Sequence, residues 1–203
     1  AVIAMLATGA RGGPLDPPGP PASTDSVKLP GTPISSLPYT ISSPGSYYVT
    51  RPLSGVNSQN GISINSGDVT LDLGGFTLEG VPGALYGVRV SGAVASRQNI
   101  VIRDGALRQW GLCGIDAGAA RESVFEDLRL MNNVSCGIVA GPASALRHIQ
   151  AFENNDDGIR VLQGTSPVGG GEVSGSTASN NGGDGLQLDA SLMIVDGNTL
   201  NGN

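Results

Sequence analysis

Aromatic residues make up only 4% of this 203-residue chain and charged residues only 14%. Both are low for a helical globular domain, whose solvated faces need many charges. Basic runs are missing, and the net charge is −6, which argues against nucleic acid or an anionic membrane surface as partner. Histidine occurs once and cysteine twice, so sites needing several of either are out of reach. No apolar run is long enough to span a bilayer as a helix. What is plentiful is glycine, 32 residues, which points to many short strands joined by tight turns. The length suffices for one domain with a sizeable core.

The chain opens with "AVIAMLATGA", a short apolar run ending in small residues. Residues 1–10 read as the remnant of a secretory signal, with Thr8 and Ala10 suited to a small-x-small cleavage site, or as a short helix. Residues 11–32 are rich in Pro, Gly and Ser and read as a linker, which leaves 33–203 as the folded unit.

From Gly61 onward a glycine followed by apolar, any, apolar recurs: "GISI" at 61, "GVRV" at 87, "GIDA" at 114, "GIVA" at 137, "GIRV" at 158 and "GLQL" at 185. Alternation with period two means strands, and intervals in the twenties mean a repeat architecture. Helical repeats would place apolar residues three and four apart, and leucine-rich repeats need a consensus that is missing. The economical solution is an all-β solenoid, a right-handed parallel β-helix of six to seven coils stacked at roughly 4.8 Å. Its expected core includes Ile62, Ile64, Leu71, Leu73, Val88, Val90, Ile100, Ile102, Ile115, Phe125, Ile138, Leu146, Ile159, Val161, Val173, Leu186 and Leu188. Residues near Tyr47, Tyr48 and Val49 are expected to cap the N-terminal end.

Asn133, Asn154 and Asn181 each stand four residues before a coil's glycine, with Asn203 at the corresponding place in the last coil. Asparagine tolerates turn conformations and hydrogen-bonds across stacked layers, so these residues predict an amide ladder. The sequon "NVS" at 133–135 is read as part of that ladder.

These patterns resemble the pectate-lyase-like right-handed β-helix superfamily, including NosD-type secreted repeat proteins, over residues 33–203. The resemblance implies a location outside the cytoplasm and a polysaccharide or cell-surface partner. It leaves activity open, because the superfamily holds lyases, hydrolases, epimerases and non-enzymes. The Gly-His-Gly and Arg-x-Lys elements of polygalacturonase-type relatives are missing. The leading expectation is therefore a non-catalytic module presenting a flat β face to a polysaccharide. A polysaccharide lyase or hydrolase is the alternative, and a structural spacer the third reading.

Asp156 and Asp157, in "NNDDGIR", are the weak candidates for a catalytic pair; the competing reading is a turn between ladder and strand. "GGDGLQLD" at 182–189 partly resembles a calcium-binding nonapeptide, but Gln187 stands where an acid should follow, so no metal or other cofactor is expected, calcium being only weakly suggested. His148 reads as a strand or turn-edge residue rather than a base. Outward positions predict three columns: Ser63, Arg89, Asp116, Val139, Arg160, Gln187; Asp72, Arg103, Glu126, Arg147, Ser174, Asp196; and Thr77, Arg108, Arg129, Gln150, Thr177, Thr199. Adjacent arginines are costly, which nominates Arg108 and Arg129 for an acidic sugar, with Trp110 as a stacking partner or a corner plug. The competing reading pairs these arginines with Asp104 and Asp127 nearby.

Cys113 and Cys136 each precede a coil's glycine and are expected on adjacent coils, as a disulfide or as stacked thiols. The last coil offers no polar cap, which predicts further coils or a second chain over that end.

Overall fold

The computed structural model describes residues 31–93, 95–163 and 170–203. The expectations for residues 1–10 and for most of 11–32 lie outside the described residues. Twenty-two short strands and no helix are assigned among the described residues, so none of them forms a helix able to cross a membrane.

The strands coil into a right-handed parallel β-helix of about seven turns. Three faces run along it. The first stacks Thr32–Ile34, Gly45–Val49, Val69–Asp72, Ile100–Arg108, Val124–Met131, Ala145–Arg147, Glu172–Ser174 and Ile194–Asp196. The second stacks Leu53–Ser54 and Thr77–Glu79 on the later halves of Ile100–Arg108 and Val124–Met131, followed by Gln150–Phe152, Thr177–Ser179 and Thr199–Asn201. A separate seven-stranded sheet, from Tyr39–Ile41 to Leu186–Leu188, makes the third. Among the described residues the pairings between adjacent coils are parallel, as in Ile102↔Phe125 and Phe125↔Leu146.

Inward residues fill the tube with Ile, Leu and Val from all three faces. Ile62, Ile64, Leu71, Ile102, Phe125, Ile138 and Leu146 are fully buried. Each such side chain contributes roughly 1.5–3 kcal/mol by leaving water, which no three-residue strand could gain alone. Leu186 and Leu188, expected in the core, are only half-buried, because among the described residues the coil that holds them is packed on one side. Beyond them Leu192, Ile194 and Leu200 are 81%, 65% and 52% exposed.

The N-terminal end departs from expectation. Tyr47, Tyr48 and Val49 are one layer in, paired with Thr32, Pro33 and Ile34, so the Thr32–Ile34 strand stands outside them. A three-residue proline-containing strand carries too little alternation to be read from sequence.

From the Val69–Asp72 coil onward, corners carry a residue in the left-handed region. The corner between first and second faces uses Gly74, Asp104, Asp127, His148, Gly175 and Gly197, all with φ between 53° and 62°. The next corner uses Gln109, Asn132, Glu153, Asn180 and Gly202. Glycine adopts this conformation freely, whereas other L-residues give up roughly 1–2 kcal/mol, least for Asn and Asp.

The asparagine ladder forms as expected. Asn133, Asn154 and Asn181 are buried, and each side-chain oxygen receives the amide of the coil before: Asn133 Nδ2 donates to Asn154 at 2.9 Å, Asn154 to Asn181 at 2.9 Å, and Asn181 to Asn203 at 2.8 Å. With Asn133 wholly buried, its sequon serves the ladder.

Cys113 and Cys136 do lie on adjacent coils, with Cα atoms 4.5 Å apart, and they are joined in a disulfide. The parallel Cβ vectors of a stacked pair are no bar, because each sulfur can still turn about its own Cα–Cβ bond at this separation.

Candidate functional site

An open groove of about 700 Å³ runs across the first corner, lined by Asp72, Thr77, Asp104, Asp127, Arg129, His148 and Gln150 among others. Its side chains come from four successive coils. The strand pairings Gly105↔Leu128 and Arg129↔Gln150 bring Asp104, Asp127 and His148 to one row and Ala106, Arg129 and Gln150 to the row beside it. Both rows run from coil to coil along the helix axis.

At the centre, His148 Nδ1 lies 3.2 Å from Asp127 Oδ1, with both side chains more than half exposed. If Nδ1 carries the proton it donates to the carboxylate, and Nε2 is then left as the ring's acceptor. Gly175 makes room for this ring: a Cβ at that position would stand 2.9 Å from His148 Cδ2. On the strand before the corner, Arg147 donates twice to Glu172, at 2.7 and 3.1 Å. That hydrogen bond holds the Glu172 carboxyl below the usual carboxylate range and raises the Arg147 guanidinium. The pair ties the strand leading into His148 to the next coil.

Arg129 donates from Nε to Gln150 Oε1 at 3.0 Å and has no carboxylate partner among the described residues. Asp104 sits on the other side of the dyad. Its nearest cation is Arg103, at 3.5 Å, and no hydrogen bond reaches its carboxylate among the described residues. Asp72 is engaged twice, accepting from Gly74 N at 2.8 Å and Arg103 Nη2 at 3.1 Å. No three His, Cys, Asp or Glu side chains among the described residues converge as a metal site would require.

Two of the three predicted columns are in register as expected. Ser63, Arg89, Asp116, Val139, Arg160 and Gln187 pair in order, and so do Asp72, Arg103, Glu126, Arg147, Ser174 and Asp196. The third is wrong at one place. Arg129 pairs with Ala106, whereas Arg108 lies two residues on, opposite Glu79 and Met131, and bonds Glu79 at 3.1 Å. Arg108 and Arg129 are therefore not stacked neighbours, because this pair of coils is offset by two residues more than the pair after it. Neither arginine pairs with Asp104 or Asp127: Asp127 bonds His148, and Asp104 faces Arg103.

Trp110 cannot stack on a sugar. It is fully buried, donates from its backbone N–H to the Asn133 side-chain oxygen at 3.1 Å, and donates from Nε1 to Leu78 O at 3.1 Å. It plugs the corner in the coil before the asparagine ladder, the second of the two readings.

Asp156 and Asp157 sit at the other corner, outside the groove. Asp157 is buried and accepts the Asp184 N–H at 2.9 Å, while Asp156 is exposed. The row Tyr86, Cys113, Cys136, Asp157, Asp184 is as the glycine alignment predicts, each carbonyl from Cys113 on receiving the glycine N–H of the coil before.

Sequence reasoning missed Asp127 and His148 as a pair. A signal was present: "RDG" at 103, "EDL" at 126, "RHI" at 147 and "SGS" at 174 place Asp, Asp, His and Gly at one corner position. The alignment on the repeat glycines, a corner away, hid it.

No family model matches the sequence, and no curated protein is similar to it at the level of sequence. The fold is found in solved structures. The chain is similar to the crystal structure of pectate lyase Pel9A (TM-score 0.56, 16% identity, 72% of this chain and 43% of that one). It is also similar to the periplasmic alginate epimerase AlgG (TM-score 0.60, 15% identity, 80% and 42%). A third likeness is to the A-module of the Azotobacter vinelandii mannuronan C-5 epimerase AlgE6 (TM-score 0.54, 16% identity, 82% and 54%). The chain thus spans about half the length of these structures, and at such identities the likeness is one of fold: a pectate-lyase-like parallel β-helix.

Proposed function

We propose that the chain acts outside the cytoplasm on a polysaccharide containing acidic sugars, which lies in the first-corner groove and undergoes proton abstraction of the lyase or epimerase type. The single observation that carries this reading is the convergence of the Asp127–His148 pair with Arg129 in one groove. Arg129 has its terminal nitrogens free of carboxylates among the described residues and suits a sugar carboxylate bound in a fork. Anchoring that carboxylate would stabilise the negative charge that builds on it as the neighbouring carbon loses its proton. His148 Nε2 is the acceptor for that proton, and Asp127 holds the ring and supports the imidazolium. The three similar structures are named for pectate, alginate and mannuronan, all polymers of uronic acids. The disulfide supports an oxidising compartment.

A second reading, binding without turnover, is favoured by the openness of the groove: His148 and Asp127 side chains are 67% and 56% exposed, so little water is kept out. The experiment incubates the protein with acidic oligosaccharides in deuterated water. Unsaturated ends mark a lyase, and solvent deuterium on the sugar without cleavage marks an epimerase; both should vanish in His148→Ala. Binding that Arg129→Gln abolishes, with neither product, supports the second reading. Failure to bind any acidic oligosaccharide overturns both.

A further inference from the structure

We infer that the groove selects a mixed polymer, in which an acidic sugar is preceded, towards the N-terminal coils, by a neutral one. The inference rests on the polysaccharide reading above and deepens it.

Successive coils are roughly 4.8 Å apart, comparable to one sugar ring in an extended chain, so each coil can present its own side chains to one ring. The coil of Arg129 offers a cation, its own Asp127 being engaged by His148, with Gln150 beside Arg129 on the next. The preceding coil offers the reverse. There Asp104 projects a half-exposed carboxylate with no hydrogen-bond donor among the described residues, next to Ala106, which adds no polar group.

Charge decides between ligands at that coil. Among the described residues Arg103 is the only cation in contact with Asp104, at 3.5 Å, and its shorter contact, 3.1 Å, goes to Asp72. One arginine thus serves two carboxylates and leaves a net negative step. A uronate there would bring a like charge within a few ångströms, which is unfavourable even in a solvated groove. A neutral sugar would instead offer hydroxyl donors to a carboxylate that lacks them, a charge-assisted bond. A homopolymer of uronates would meet Arg129 well and Asp104 badly. A polymer alternating neutral and acidic sugars satisfies both.

The test compares binding of oligogalacturonate with that of alternating rhamnose–galacturonate and N-acetylglucosamine–glucuronate oligosaccharides by calorimetry. It uses the intact chain, Asp104→Asn and Arg129→Gln. Asparagine keeps the shape and tolerates the left-handed corner, and circular dichroism checks the fold of each variant. The intact chain should prefer a mixed oligosaccharide by about tenfold. Asp104→Asn should erase most of that preference by tightening oligogalacturonate binding, and Arg129→Gln should weaken every ligand. Oligogalacturonate bound as tightly as the mixed ligands, with Asp104→Asn neutral and Arg129→Gln still damaging, would overturn this inference and leave the proposed function standing. Binding of no acidic ligand would overturn both.

Discussion

Replacing Asn154 by alanine tests how the amide ladder holds the solenoid. Asn154 is 1% exposed, and its side chain makes four hydrogen bonds. Its oxygen accepts from Asn133 N at 3.2 Å and Asn133 Nδ2 at 2.9 Å; its nitrogen donates to Leu130 O at 3.0 Å and Asn181 Oδ1 at 2.9 Å. Alanine leaves both Asn133 donors facing an apolar void and takes one partner from Leu130 O. Each buried group left unpaired costs about 1–3 kcal/mol, so the two donors alone place the loss near 4 kcal/mol. Asn203 provides the control. Its side chain accepts from Asn181 N and Nδ2 and donates to Ala178 O, a similar set, but the residue is exposed. Water can replace those bonds, and Asn203→Ala should cost about 1 kcal/mol or less. Urea unfolding followed by circular dichroism gives both values from midpoint and slope. Equal costs for the two substitutions would refute the argument that burial, rather than bond count, sets the ladder's worth.

Breaking the disulfide with Cys113→Ala and Cys136→Ala should destabilise the chain by roughly 3 kcal/mol, as expected for closing a loop of 23 residues, and a reductant titration of the intact chain should approach the same midpoint. Gly175→Ala adds a Cβ at a left-handed position, 2.9 Å from the His148 ring, so it should disturb the His148 NMR resonances as well as lower stability, whereas Gly197→Ala, with the same backbone strain and nothing closer than 3.8 Å, should leave them in place. The Glu172 carboxyl is held below its ordinary range, so the stability it contributes is full above that range and is lost as the pH falls through the lowered value. Glu172→Gln should therefore flatten part of the acid limb of a stability–pH curve, and high salt should shrink the difference, since the pair is solvated. Hydrogen exchange should be faster at Ile194–Asp196 and Thr199–Asn201 than in the buried half of Ile100–Arg108; equal protection would contradict the exposure of Ile194 and Leu200.

Much of this molecule was legible in one dimension. The glycine-led alternation specifies which residues point inward, because a strand's period of two admits only two faces and one of them is apolar. The four-residue offset from Asn133, Asn154 and Asn181 to the next glycine likewise located the ladder and, through the same register, the stacked cysteines. Register at the first corner was not legible from the glycines, because coils of unequal length absorb their extra residues at different corners. That displaced Arg108 by two positions and concealed the row of Asp104, Asp127 and His148. The burial of Trp110 was equally hidden, since an indole at a corner reads the same whether it points out to a sugar or in towards Leu78. Local pattern determines which way a side chain faces within its strand. Which side chains meet across coils is decided only when the coils stack, for contact depends on the sum of every insertion between them.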